Sequence, residues 1–317
     1  SDTIASLAGA GSVNLNSFTL TVGDTNNTTY SGVMSGTGGL TKQGTGTLTL
    51  SGANTYTGTT TVSAGTLSLG ASDVIADTGA VTVSGGTLSI GANSDTVAGV
   101  TLSSGSITGT TGVLTGSSYS ITNGTGTSTT ISAILGGTGN LTMSGAGTLT
   151  LSGANTYTGT TSITAGTLSV TGSLSNSTAV TVDSGATYSV GASDTIASLA
   201  GAGSVNLNSF TLTVGDTNNT TYSGVMSGTG GLTKQGTGTL TLSGANTYTG
   251  TTTVSAGTLS LGASDVIADT GAVTVSGGTL SIGANSDTVA GVTLSSGSIT
   301  GTTGVLTGSS YSITNGT

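Results

Sequence analysis

From residue 47 to residue 69 the chain reads TLTLSGANTYTGTTTVSAGTLSL, and apolar residues alternate with hydroxyl residues. Leu48, Leu50, Val62, Leu67 and Leu69 fall on one side of the pattern, and Thr47, Thr49, Thr66 and Ser68 fall on the other. A period of two places successive side chains on opposite faces of a strand, so one side faces a core and the other faces water. The residues SGAN at 51–54 and Ala64-Gly65 tolerate positive φ or close Asx turns, which bends the chain between strands. The same design recurs with Val81, Val83, Leu88 and Ile90, then in GVTLSSGSITG at 99–109, SSYSITNG at 117–124, and Leu149 with Leu151. Leu48, Leu67 and Leu88 are spaced by 19 and 21 residues, so an equivalent apolar strand returns about every twenty residues.

Longer self-similarity frames this short period. The stretch GTLTLSGANTYTGTT stands at residues 46–60, 147–161 and 238–252, its copies 101 and then 91 residues apart. Residues 1–125 recur letter for letter as 193–317, an offset of 192. Within the unit, 28–50 aligns without gaps on 129–151, so that Val33 matches Ile134, Leu40 matches Leu141 and Lys42 matches Met143. The sequence therefore predicts one continuous architecture over 1–317, with a complete unit at 1–192 and a partial one at 193–317. A start at Ser1 and a stop inside the second unit are expected of a window from a longer protein.

Strands with turns every 8 to 12 residues also suit an antiparallel sandwich, but a sandwich is closed, and identical tandem units need neighbours that are always the same. The expectation is an all-β parallel solenoid of about twenty residues per coil, without significant helix, since Thr, Ser, Gly and Val dominate and no 3.6-residue stripe appears. A single coil cannot fold alone, because the backbone entropy of ordering it exceeds what half a dozen buried aliphatics return. Stacked about 4.8 Å apart, some sixteen coils would make a rod of roughly 75 to 80 Å. The three copies of the fifteen-residue signature are expected on equivalent rungs of a single column.

Composition narrows the function. Of 317 residues, 58 are Gly and 4% are charged, with neither Pro nor Cys. A mean hydropathy of +0.28 and the strand-like alternation set this apart from disorder. The charged set is eleven Asp with Lys42 and Lys234, a net charge of −9. Two cations cannot neutralise a run of phosphates, which excludes nucleic acid and anionic membrane surfaces as partners. No apolar run is long enough to span a bilayer in this segment.

The residues GLTKQGTGTLTLSGANTYTGTTTVSAGTLSLG at 39–70 resemble the autotransporter passenger-associated β-strand repeat of large bacterial secreted proteins, again at 231–262 and in weaker form at 140–170. The resemblance implies a right-handed parallel β-helix stalk, exported through the outer membrane and displayed or released, hence an extracellular or cell-surface location.

Candidate chemistry is sparse. Catalysis of the pectate-lyase type needs a base and clustered carboxylates, and this chain has no Arg, His or Glu. No catalytic residue, cofactor or metal is expected. Lys42, matched by Met143 in the intermediate half-repeat, reads as a solvated or loop position. Asp24, Asp216, Asp73 and Asp194 read as turn caps rather than Ca²⁺ ligands. Thr47 with Thr49, Thr66 with Ser68 and Thr87 with Ser89 would stack as hydroxyl columns, a candidate ice-binding face. Tyr56, Tyr157 and Tyr248, one per signature, would either contact glycans or neighbouring molecules if exposed or cap the core edge if packed. The leading expectation is a non-enzymatic structural fibre or adhesin stalk that associates with itself end to end or laterally. The alternative is a module binding glycan, a neighbouring cell surface or ice.

Overall fold

The computed structural model describes residues 1–314, among which every regular element is a β-strand. The chain divides into two compact units, Ser1–Gly159 and Thr160–Thr317. Each is a parallel β-solenoid whose strands stack about 20 residues apart.

In the first unit every coil has three sides. One column runs from Leu40–Lys42 to Thr60–Val62 and on to residues 81–83. A second runs from Thr47–Leu50 to Thr66–Leu69 and on to residues 87–89. A third is formed by Asp95–Val97, Val113–Gly116 and Ile134–Gly136. All these pairings are parallel and in register, so each backbone amide and carbonyl along a column finds its partner in a neighbouring coil. Side chains repeat down the columns for the same reason: Leu48 stacks on Leu67, and Leu67 on Leu88.

The inward positions are closed to solvent. Leu48, Leu50, Val62, Leu67, Leu69, Val81, Val83, Leu88, Ile90, Leu149 and Leu151 are all buried. Corners between the first two sides are tight. At the corner of Val100–Gly109, Gly105 has φ +85°, and a Cβ there would lie 2.1 Å from the Gly86 carbonyl oxygen. Only glycine brings consecutive coils that close in that conformation.

The second unit repeats the design in residues whose letters recur from the first. Thr239–Leu242 pairs with Thr258–Leu261, Leu240 on Leu259, as Leu48 lies on Leu67. Gly297 has φ +84°, with the Gly278 carbonyl oxygen 2.1 Å from its would-be Cβ, the copy of the Gly105 corner.

The signature copies do not all share one column. In the first unit Leu48 reaches Leu151 through Leu67, Leu88, Ile107 and Ile131, which is five whole coils along a single column. In the second unit the strand Thr161–Ile163 heads the column that continues through Ala179–Val182, Ser198–Gly201 and Thr220–Tyr222 to Thr239–Leu242. Its sequence counterpart, Thr252–Val254, lies in a different column, between Leu232–Lys234 and residues 273–275. Spacing explains this correction. A separation of 101 residues closes five coils, whereas 91 residues make four and two-thirds, and in a three-sided coil the signature then falls one side short of closing.

Truncating a central rung tests the stacked interior. Leu67→Ala should lower unfolding free energy by about 2 to 5 kcal/mol, because its neighbours belong to two other coils and cannot collapse into the cavity. Urea titration followed by circular dichroism reads this directly.

Candidate functional site

The distinctive chemistry of this solenoid lies in polar side chains buried where the coil leaves strand geometry. On the third side, residues 51–59 and 70–79 form loops rather than strands. Their neighbours' amides still need acceptors, and side chains supply them.

Asn54 does this for the signature loop. Its Oδ1 accepts the Met34 N–H at 2.8 Å, while its Nδ2 donates to the carbonyls of Gly52 at 2.9 Å and Val74 at 2.8 Å. Asn246 reproduces the set with Met226, Gly244 and Val266, and Asn155 accepts the Leu135 N–H at 3.0 Å. Asp95 does the same for the next loop: its Oδ2 accepts the N–H groups of Val74 at 2.9 Å and Ile75 at 3.1 Å. Asp287 repeats this with Val266 and Ile267, and Asp194 accepts from Leu174 and Thr195, both at 2.9 Å. Burial pushes the Asp95 carboxyl up to about 6 against the pull of its two amide donors, and Asp73 and Asp77 add to the rise.

Sequence reasoning missed Asn54 and Asp95. A signal for both was present. Burial alternates through residues 53–57 although no strand is assigned there, so Asn54 and Tyr56 are inward-pointing members of the same period-two pattern. Asp95 likewise takes an inward slot in DTV, where aliphatics stand in other strands.

The three signature tyrosines are not surface contacts. Tyr56, Tyr157 and Tyr248 are each 0% exposed. The inward phase of the loop carries their rings into the interior, where burial of the hydroxyl requires a partner. Tyr56 and Tyr248 pair with the Thr60 and Thr252 hydroxyls at 2.5 Å. The Tyr157 ring packs 5.8 Å from that of Tyr119, at 49°.

Lys42 is not a solvated or loop residue. It lies in Leu40–Lys42 and is 2% exposed, as is Lys234. Its stem takes an inward rung between Val22 and Val62. Its ammonium turns to the corner and donates to the carbonyls of Gln43 at 2.7 Å, Gly44 at 3.1 Å and Ala64 at 3.5 Å. Burial lowers its pKa, partly offset by the Asp24 carboxylate. Met143, the counterpart of Lys42, is likewise fully buried.

Of the other acidic residues, Asp24 closes an Asx turn by accepting the Asn26 N–H at 2.8 Å, and Asp216 does the same for Asn218. Asp73 is exposed in its loop with φ +54°, whereas Asp194 is buried rather than at a surface turn. The hydroxyl columns Thr47–Thr66–Thr87 and Thr49–Ser68–Ser89 form in register. A third column, through Thr21, Thr41, Thr61, Thr82 and Thr101, runs along the first side. Among the described residues no group of three acidic side chains is placed to hold a metal ion.

With this geometry in place, comparison with known proteins identifies the repeat. The passenger-associated-transport-repeat model matches residues 40–69, 141–170 and 232–261. The matched segments contain the signature loop with Asn54, Asn155 and Asn246 and the buried tyrosines. Neither the curated proteins nor the solved structures contain a match to the chain. The three repeats and the β-solenoid fold fit a passenger domain of an autotransporter, a class that implies secreted or surface export.

Two measurements separate interior from surface roles. With Tyr56 and Tyr248 pushed up to about 12, the native protein should show incomplete tyrosinate absorbance at pH 11, and denaturant should release it. Lys42→Met should be tolerated because the fold already holds Met143 at the matching rung, and Lys42→Ala should cost about 2 kcal/mol more in urea titrations.

Proposed function

We propose that this chain is a non-enzymatic spacer: a segment of a surface fibre or adhesin stalk whose work is length, stiffness and resistance to proteolysis. The observation that carries the reading is the identity of register between recurring residues. Leu48 on Leu67 on Leu88 is matched by Leu240 on Leu259 on Leu280, each rung set only by its neighbours. In such an architecture stability is a sum of nearest-neighbour terms, so tandem copies extend the structure without redesign. The match to passenger repeats supports a place outside the cell, on the bacterial surface or released from it.

The interior supports the same reading. The buried Asn, Asp, Lys and Tyr side chains are committed to holding backbone and core together, and the outward positions are dominated by Thr and Ser. Self-association is the partner class we assign, end to end through strand edges and side by side through the uncharged columns such as Thr21–Thr41–Thr61.

Proteins carrying one, two and three 192-residue units provide the test. Small-angle scattering and negative-stain images should give a maximum dimension that grows by about 45 to 50 Å per unit, with bundles at raised concentration. Particles whose longest dimension does not grow with added units would exclude the spacer role, and single dispersed particles at every salt concentration would exclude lateral association.

A further inference from the structure

Asn54 and Asp95 do the same job two coils apart, and only one of them is fully satisfied. The Asn54 amide uses both of its ends: Oδ1 takes the Met34 N–H, and Nδ2 gives to the Gly52 and Val74 carbonyls. Asp95 is 1% exposed, and its Oδ2 takes two N–H groups, but its Oδ1 is buried with no partner. Asp287 repeats the arrangement, including the unpartnered Oδ1. A carboxylate in this position buries charge on an oxygen that nothing solvates, whereas a neutral acid does not.

The surroundings offer no compensating cation. The loop over Asp95 contributes Asp73 and Asp77, both exposed acids, and the coil before it contributes the Tyr56 hydroxyl. Around Asp287 the corresponding groups are Asp265, Asp269 and Tyr248. The two lysines are placed against Asp24 and Asp216 instead. Protonation of the carboxyl removes the buried charge without a cation.

We infer that Asp95 and Asp287 are proton-operated latches: when the carboxyl is neutral, loop 70–79, or 262–271 in the second unit, is clamped on the following coil; when it ionises, the loop opens to let water reach Oδ1. Other hydrogen bonds also join the loop to that coil: the Ser94 N–H donates to the Ser72 hydroxyl at 3.1 Å and the Ala98 N–H to the Gly79 carbonyl at 3.0 Å, as Ser286 and Ala290 do to Ser264 and Gly271. The Asp73 N–H donates to the Ser94 carbonyl at 3.0 Å, and Asp265 does so to Ser286. A loop joined to its neighbour by a handful of hydrogen bonds, in place of a strand ladder, opens below the global unfolding free energy.

The direction with pH follows from the raised carboxyl. With the closed form at about 6 and the open form at the ordinary 3.8, closure is unpenalised below about 4, loses stability as pH rises towards 6, and carries the full penalty above it. Acidification therefore tightens the loop. Between pH 7.5 and pH 5 the closing equilibrium at Asp95 should gain about tenfold.

Amide hydrogen exchange on the 317-residue protein, expressed as protection factors to remove intrinsic pH dependence, reads the latch at single residues. Protection at Val74 and Ile75 should rise about tenfold from pH 7.5 to pH 5, with a rise of the same sign at Val266 and Ile267. The Met34 amide, bound to the neutral Asn54, is the internal reference and should hold steady. Asp95→Asn should abolish the rise at Val74 and Ile75 while leaving Val266 and Ile267 responsive. Asp183→Asn, which removes an exposed charge, should change nothing at any of these amides. Flat protection at Val74 and Ile75 in the wild-type protein overturns the inference, whether or not the variants fold. So does a rise shared equally by Met34, or one that survives Asp95→Asn, either of which would assign the effect to net charge.

Discussion

The parallel ladder between successive coils is the constraint on which everything else depends. A coil of about twenty residues cannot order itself, because its six or so aliphatics do not outweigh the entropy of its backbone. Placed on a neighbour, it satisfies its amides and carbonyls and gains apolar contacts above and below at once. Leu67, held between Leu48 and Leu88, is stable only because both neighbours are there. A chain with two cations, no cysteine and 58 glycines can be a folded protein on these terms, since the ladder needs neither ion pairs nor cross-links.

A ladder of this kind is vulnerable wherever the coil turns, and the structure repairs it with side chains. Where residues 51–59 and 70–79 form loops in place of strands, Asn54 and Asp95 stand in for the missing ladder and receive amides from adjacent coils. Lys42 performs the complementary repair, giving its three donors to corner carbonyls that no amide reaches. These polar groups are scarce and deeply placed, and each is matched by a backbone need. Their burial is a cost of closing a three-sided coil, and at Asp95 and Asp287 the match is incomplete.

Much of the fold was legible from the chain. Alternation of Leu and Thr assigned the strands and their inward side, and exact recurrence required an open-ended architecture over a closed one. The polar interior was not legible in the same way. Lys42 and Tyr56 occupy inward slots of the period-two pattern, yet the charge of Lys42 argued for solvent and Tyr56 stayed open between surface and core edge, because nothing in the letters says whether a corner carbonyl or a threonine hydroxyl waits inside to receive them. Asn54 was hidden for a similar reason: an Asn beside Gly reads as a turn former, and its second role appears only when the Met34 and Val74 coils lie on either side of it.

What the sequence by itself determined is the local period: which residues point inward, where the chain bends, and that every coil meets another like it. These follow from alternation and recurrence, which are properties of neighbouring letters. Only the tertiary structure decided which side of the coil each recurring segment occupies, because that depends on how many residues each turn consumes. Thr161 and Thr252 are equivalent letters that stand in different columns, since 91 residues do not close a whole number of three-sided coils.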